Sequence, residues 1–147
     1  MFEDKETCCF MHLVYRFLHD DTYYLLHVKE YEKINPNKSL LGYYDNAYVY
    51  IIPSVLIGAI DNLTFQAGIK KLNTQKIFKQ LVIANLIKVH MISSGEVKYR
   101  PEKRIGKTKY RYITFYKERL LNFVPEEVLD WIGNPFLDKL TPNKKLL

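Results

Sequence analysis

Thirteen of the twenty-two lysines and arginines fall between residues 66 and 117, where Glu96 and Glu102 are the only acids. Residues 1–35 carry an acidic surplus of three and residues 118–147 a surplus of one, so a single central block holds the positive charge of a chain whose net charge is +6. Cations gathered this way suit a polyanion, because each one that meets a phosphate releases a condensed counterion. Aromatic rings are interleaved with them: Tyr99 beside Arg100, then Tyr110, Tyr112 and Tyr116 among Lys109, Arg111 and Lys117. Rings among cations suit a single strand, where a base stacked on an aromatic side chain contributes roughly 1–3 kcal/mol. Upstream, Gln75, Lys76, Lys79 and Gln80 carry the groups that hydrogen-bond base edges and phosphates, and Lys70 and Lys71 precede them. The candidate nucleic-acid-binding set is therefore Lys70, Lys71, Gln75, Lys76, Lys79, Gln80, Lys98, Tyr99, Arg100, Lys103, Arg104, Lys107, Lys109, Tyr110, Arg111 and Tyr112. The competing explanations are a solvated, lysine-rich surface for the charge and ordinary packing of one strand face for the tyrosines.

Other reactive side chains form no comparable pattern. Cys8 and His12 stand four apart, on one face of a helix, and Cys9 is adjacent. A structural zinc takes four ligands, however, and His19, His27 and His90 supply no second paired spacing, so core packing is the expectation and no metal is assigned. The acids Glu118, Glu126, Glu127, Asp130 and Asp138 fit helix starts and a solvated face. Nothing resembles a nucleophile with its base. The expectation is a protein without catalytic activity of its own, without a cofactor and without a small-molecule substrate.

The elements that must hold the basic block can be read from periodicity. Phe10, Leu13, Val14, Phe17 and Leu18 have helical spacing within residues 5–19, and Asp20-Asp21-Thr22 ends that helix. Residues 22–34 fit a short strand at Tyr23–Val28 or a second helix. The loop at 35–39 is the best boundary between segments. Apolar runs at 40–44 and 47–52 flank Asp45-Asn46 as a β-hairpin, and Ser54 is a candidate N-cap for a helix to about Asp61. After a turn at 62–68, Asn73-Thr74 opens a helix from Gln75 to about Asn85 with a buried stripe of Ile77, Phe78, Leu81, Val82 and Ala84. A strand at 86–92, a turn at Ser93-Ser94-Gly95, a basic loop at 98–107 and an alternating strand at 109–116 follow. Short helices are expected at 118–123 and 125–132, then a frayed tail.

With 147 residues, 48% of them hydrophobic, the chain suffices for a buried core, and 21 aromatics exclude a disordered tail. There is no basic-then-apolar leader and no run of the roughly 18–20 apolar residues that crosses a bilayer. The two cysteines are neighbours and build no disulfide framework. A cytoplasmic location, with no membrane partner, is the expectation.

Strand, helix, turn, helix, strand, basic loop and strand is the order of a winged helix-turn-helix, with the second helix as reader and the loop as wing. Within it, Leu41-Gly42-Tyr43-Tyr44, Val49 through Leu56, then Ile77, Leu81, Asn85-Leu86-Ile87 and Arg104-Ile105-Gly106 form one pattern over residues 40–116. This pattern resembles the carboxy-terminal winged-helix segment of replicative helicases of phages, plasmids and chromosomal cassettes. No GxxxxGK[ST] occurs, so the motor activity of that family is not carried over. The resemblance implies a role in replicating a mobile genetic element, as an accessory subunit beside a polymerase, primase or helicase. The fold class expected is α+β, a winged helix at 40–117 with an N-terminal helical extension at 1–39 and short C-terminal helices in 118–147. The partner is DNA, single-stranded in preference to duplex. A transcriptional regulator on duplex operator DNA and a protein-interaction adaptor are the alternatives. Apolar residues near both ends, Phe10 and Phe17, then Trp131, Phe136 and Leu137, are candidates for core completion or for a protein partner.

Overall fold

The computed structural model describes residues 4–123. The expected helix at 125–132, with Trp131, Phe136 and Leu137, lies outside them.

Helix α1 (Lys5–Leu18) starts at Asp4, whose carboxylate accepts the Glu6 N–H at 3.0 Å and the Thr7 hydroxyl at 2.9 Å. It is embedded further than an amphipathic surface helix, because every residue from Thr7 to Val14 is buried. Asp20 terminates the segment by accepting both the N–H and the hydroxyl of Thr22. The ambiguous stretch after it is strand β1 (Tyr23–His27), followed by a 3₁₀ turn at Val28–Glu30. Strand β2 (Ser39–Tyr44) lies parallel to β1, so the loop between them joins two strands of one sheet. Strand β3 (Tyr48–Ile51) completes the expected hairpin with β2. The Asp45 carboxylate organises its turn, accepting the N–H groups of Ala47 at 2.9 Å and Tyr48 at 2.8 Å. Gly42 is required here, since a Cβ would stand 2.0 Å from the Tyr50 carbonyl oxygen.

Helix α2 (Pro53–Gln66) differs from the expectation at both ends. Ser54 is not its cap: Pro53, with no N–H and a φ suited to the first turn, takes the first helical position, and the cap falls on Ile52 without a side-chain bond. The helix also runs beyond Asp61, because Ile60 and Thr64 continue its buried face, and it stops at Ala67-Gly68. Helix α3 (Thr74–Ile83) is capped by Asn73 as expected, whose side chain accepts the Lys76 N–H at 3.3 Å. Ile77, Phe78 and Leu81 are buried, whereas Val82 and Ala84 are half-buried.

The expected strand 86–92 is two short ones, β4 (Ile87–Lys88) and β5 (His90–Met91), and β5 turns back to pair with β6 (Val97–Lys98). The expected basic loop is itself a hairpin of β7 (Glu102–Ile105) and β8 (Thr108–Arg111), turning at Gly106 with φ +63°. The expected strand 109–116 breaks at Tyr112, whose N–H goes to the Pro101 carbonyl at 3.2 Å, and resumes as β9 (Ile113–Tyr116). Helix α4 (Lys117–Leu121) ends the described region.

The result is an α+β fold around a five-stranded sheet in the order β1-β2-β3-β9-β4. Alternation along β3 gives each face its own core. Val49 and Ile51 join Leu41, Ile113 and Phe115 in the main core, beneath Phe10 and Val14 of α1, Leu56 and Ile60 of α2, and Ile77 and Leu81 of α3. Tyr50 points the other way, into a smaller cluster with Ile105 and Tyr112, flanked by Tyr31, Tyr43 and Tyr48. The β7–β8 hairpin is therefore packed down: Ile105 is buried, and a Cβ on Gly106 would meet the Tyr31 ring at 2.5 Å.

Candidate nucleic-acid interface

The packed hairpin presents its cations in a fixed pattern. Glu102 pairs across the ladder with Arg111, and Arg104 with Lys109. The exposed Glu102 carboxylate takes Arg111 at 2.9 Å and Lys109 at 3.1 Å. The hydrogen bond and charge of Lys109, then the charge of Arg111, hold it below the usual carboxylate range. Lys103 lies 5.4 Å above the Tyr50 ring, and the Tyr50 hydroxyl donates to Asp45 at 2.6 Å. Burial, then that bond to a carboxylate, pushes the Tyr50 hydroxyl up. Burial alone would raise Asp45, but the Tyr50 hydroxyl, the two turn N–H groups and the Lys103 charge bring it below its ordinary value. Arg104 donates to the Lys107 carbonyl at 3.4 Å across the turn.

Among the tyrosines, packing separates the exposed rings from those used inside. Tyr112, 5% exposed, meets Tyr43 and Tyr50 edge-on at 6.1 Å each. Its assignment as a stacking residue is corrected: the break in the strand turns it into the second core. Tyr110 is 46% exposed and meets the buried Tyr112 ring edge-on, 5.4 Å away at 60°. Tyr99 is half-buried 6.2 Å from Phe78, with the Arg100 guanidinium 5.8 Å from the same ring, and these contacts tie the link between β6 and β7 to α3.

The helix-borne candidates have a different setting. Gln75, Lys76 and Lys79 are exposed and Gln80 is half-buried, as an outward α3 face requires. Yet acids from the start of α1 meet the start of α3: Lys76 lies 3.6 Å from Asp4, and the Asn73 N–H donates to Glu6 at 2.9 Å. Lys70 is exposed, Lys71 pairs with Asp61 at 3.4 Å, and Lys98 pairs with Glu96 at 3.5 Å. On the sheet, Lys88 lies over Tyr48 and Lys117 over Tyr44.

An open groove of about 720 Å³ runs between Pro53, Ser54, Ile57 and Gly58 of α2 and Arg100, Glu102, Lys109, Tyr110 and Arg111. A depression of about 400 Å³ adjoins it through Tyr110 and includes Lys107 and Tyr112. Another of about 500 Å³ adjoins it through Glu102 and Arg111 and includes Lys98. Together they follow strand β8, all four of whose residues are exposed. Lys70, Lys71, Gln75, Lys76, Lys79 and Gln80 line none of the three. The sequence reading omitted Ser54, Ile57, Gly58 and Glu102 from the site; the available signal was a glycine in mid-helix and a lone acid between cations.

Elsewhere, Cys8 and Cys9 are buried on α1, and burial, with Cys8 and Glu6 adding, pushes the Cys9 thiol up to about 12. His12 is also buried. Burial first, then the Arg16 charge, lowers it to about 4, and among the described residues its Nδ1 meets no hydrogen-bond partner. No group of three or more His, Cys, Asp or Glu side chains suited to a metal occurs among the described residues. Within them no helix is long and apolar enough to cross a membrane. Comparison of the chain with protein-family models, curated proteins and solved structures finds no match.

Proposed function

We propose that this protein is a winged-helix DNA-binding accessory subunit that holds single-stranded DNA during replication of a mobile genetic element and presents it to a polymerase, primase or helicase. The winged-helix reading is supported by the pairing β3·β9·β4, with α2 and α3 between β3 and β4, and by the β5–β6 and β7–β8 hairpins that lie between β4 and β9 in the chain. The observation that carries the nucleic-acid reading is the run along β8, where Arg100, Lys109 and Arg111 line one groove with Tyr110 and Lys107 lines the adjoining one; Lys109 and Arg111 share the ladder face of Glu102, and the partly exposed Tyr110 shares that of Lys103. A cationic track with an aromatic platform matches a strand whose bases are unpaired. The acids at the start of α3 favour the hairpin over that helix as the contact. The replication role rests on the resemblance over residues 40–116.

The test is a competition between an oligonucleotide and the same sequence as duplex, read by fluorescence anisotropy at one fixed salt concentration. Tighter binding of the single strand is expected. Tighter binding of the duplex transfers the function to a regulator of operator DNA. Absence of binding to either sinks the nucleic-acid reading and leaves an adaptor for an acidic protein.

A further inference from the structure

Among the described residues nothing packs against Gly58. It occupies the interior of α2, where glycine is less favourable than alanine because it loses more backbone freedom on folding. Its φ is not in the left-handed region, and a Cβ built there would meet no atom of the described residues within 4 Å. The contrast with Gly42 and Gly106 is direct, since at those two positions a Cβ would collide with backbone or with a ring. The open space above Gly58 is the groove, whose opposite side is lined by Arg100, Glu102, Lys109, Tyr110 and Arg111, with Lys109 and Arg111 on one ladder face of β8 and Tyr110 on the other. A helix that keeps a glycine facing a cationic groove leaves room, among the described residues, for a ligand to approach its backbone.

We propose that this groove seats a nucleotide of a single DNA strand, its phosphate on Arg100, Lys109 and Arg111, its base on Tyr110 and its sugar against α2 at Gly58. The inference rests on the nucleic-acid reading above and adds where the strand lies. Glu102 completes the site as a displaceable stand-in for the phosphate. Its carboxylate holds Lys109 and Arg111 at 3.1 and 2.9 Å, so both cations are already aimed at one anionic position. An incoming phosphate takes over these two contacts, and the exposed acid swings to water. Tyr110 is backed by the buried Tyr112 ring, an edge contact that narrows the positions it has to lose on binding.

The experiment uses the full chain with a fluorescein-labelled oligothymidine strand and an abasic strand of equal length, read by anisotropy, with a thermal melt of each variant. Gly58→Gln fills the groove while improving helix propensity. It should bind oligothymidine at least about tenfold more weakly while its melting midpoint rises by about 1–4 °C. Tyr110→Ala should lose about 5- to 100-fold on oligothymidine and little on the abasic strand, and Tyr110→Phe should bind like wild type. Glu102→Gln should bind both strands more tightly. If wild type binds neither strand, the nucleic-acid reading falls and this inference with it. If wild type binds with normal salt dependence but Gly58→Gln and Tyr110→Ala bind equally well, the reading stands and the groove is refuted as the seat. Should Gly58→Gln melt below wild type, the two Tyr110 variants decide: a loss confined to alanine upholds the seat, and no loss in either refutes it.

Discussion

The proposed DNA binding has a salt dependence that follows directly from the hairpin's charge. Seven cations, Lys98, Arg100, Lys103, Arg104, Lys107, Lys109 and Arg111, lie on β6–β8 and their connections, and Glu96 and Glu102 pair with three of them. The two acids leave a surplus of about five charges to meet phosphates, which for a single strand sets the slope of log K against log salt near −3.5. Between about 50 and 200 mM salt the affinity should then fall about a hundredfold. Changing Lys103, Arg104 and Lys107 together to alanine removes three charges, so the slope should shrink to about −1.4 and the fall to about sevenfold. The hairpin should survive, because Ile105 and Gly106, which pack it onto the tyrosine cluster, are untouched. The Lys103 contact with Tyr50 is lost, and a thermal melt registers its contribution. Anisotropy titrations of wild type and triple variant over that salt range give both slopes. A wild-type slope shallower than about −1, or an unchanged slope in the triple variant with its melting midpoint retained, would refute the assignment of the charge to phosphate contact.

Two further outcomes test the scaffold. Leu81 is fully buried, so Leu81→Ala should cost about 2–5 kcal/mol in urea denaturation, whereas Lys79→Ala on the exposed side of α3 should change stability by less than about 0.5 kcal/mol; equal losses would mean the helix is rotated from the orientation described. His12, lowered to about 4 from 6.5, binds its proton more readily in the unfolded chain, so its contribution is complete above about pH 6.5 and is lost as pH falls from there to about 4. Between about pH 7 and pH 5 this should remove about 1–2 kcal/mol of unfolding free energy, and His12→Leu should flatten that part of the profile; an unchanged profile in the variant would show that His12 is solvated in the folded state.

Periodicity and capping chemistry were enough to place α1, the β2–β3 hairpin and α3. Each is specified locally: the apolar spacing from Phe10 to Phe17, the Asp45-Asn46 turn, and the Asn73 side chain that accepts the Lys76 N–H. The concentration of cations in residues 66–117 is likewise a property of the sequence alone. Boundaries that depend on distant contacts were not legible. Alternation reads residues 109–116 as one strand, but the carbonyl of Pro101 captures the Tyr112 N–H, and the second core takes its ring. The basic stretch around Pro101 reads as a loop, yet its cross-strand partners lie in β8 and its anchor is Tyr31, far back in the chain. Tyr110 and Tyr112 are the same residue type two positions apart, and only the packing of the hairpin against the sheet exposes one and buries the other. Gly58 appears in the sequence as a flaw in a helix; only the fold shows a cationic groove above it, because α2 and β8, far apart in the chain, line its two sides.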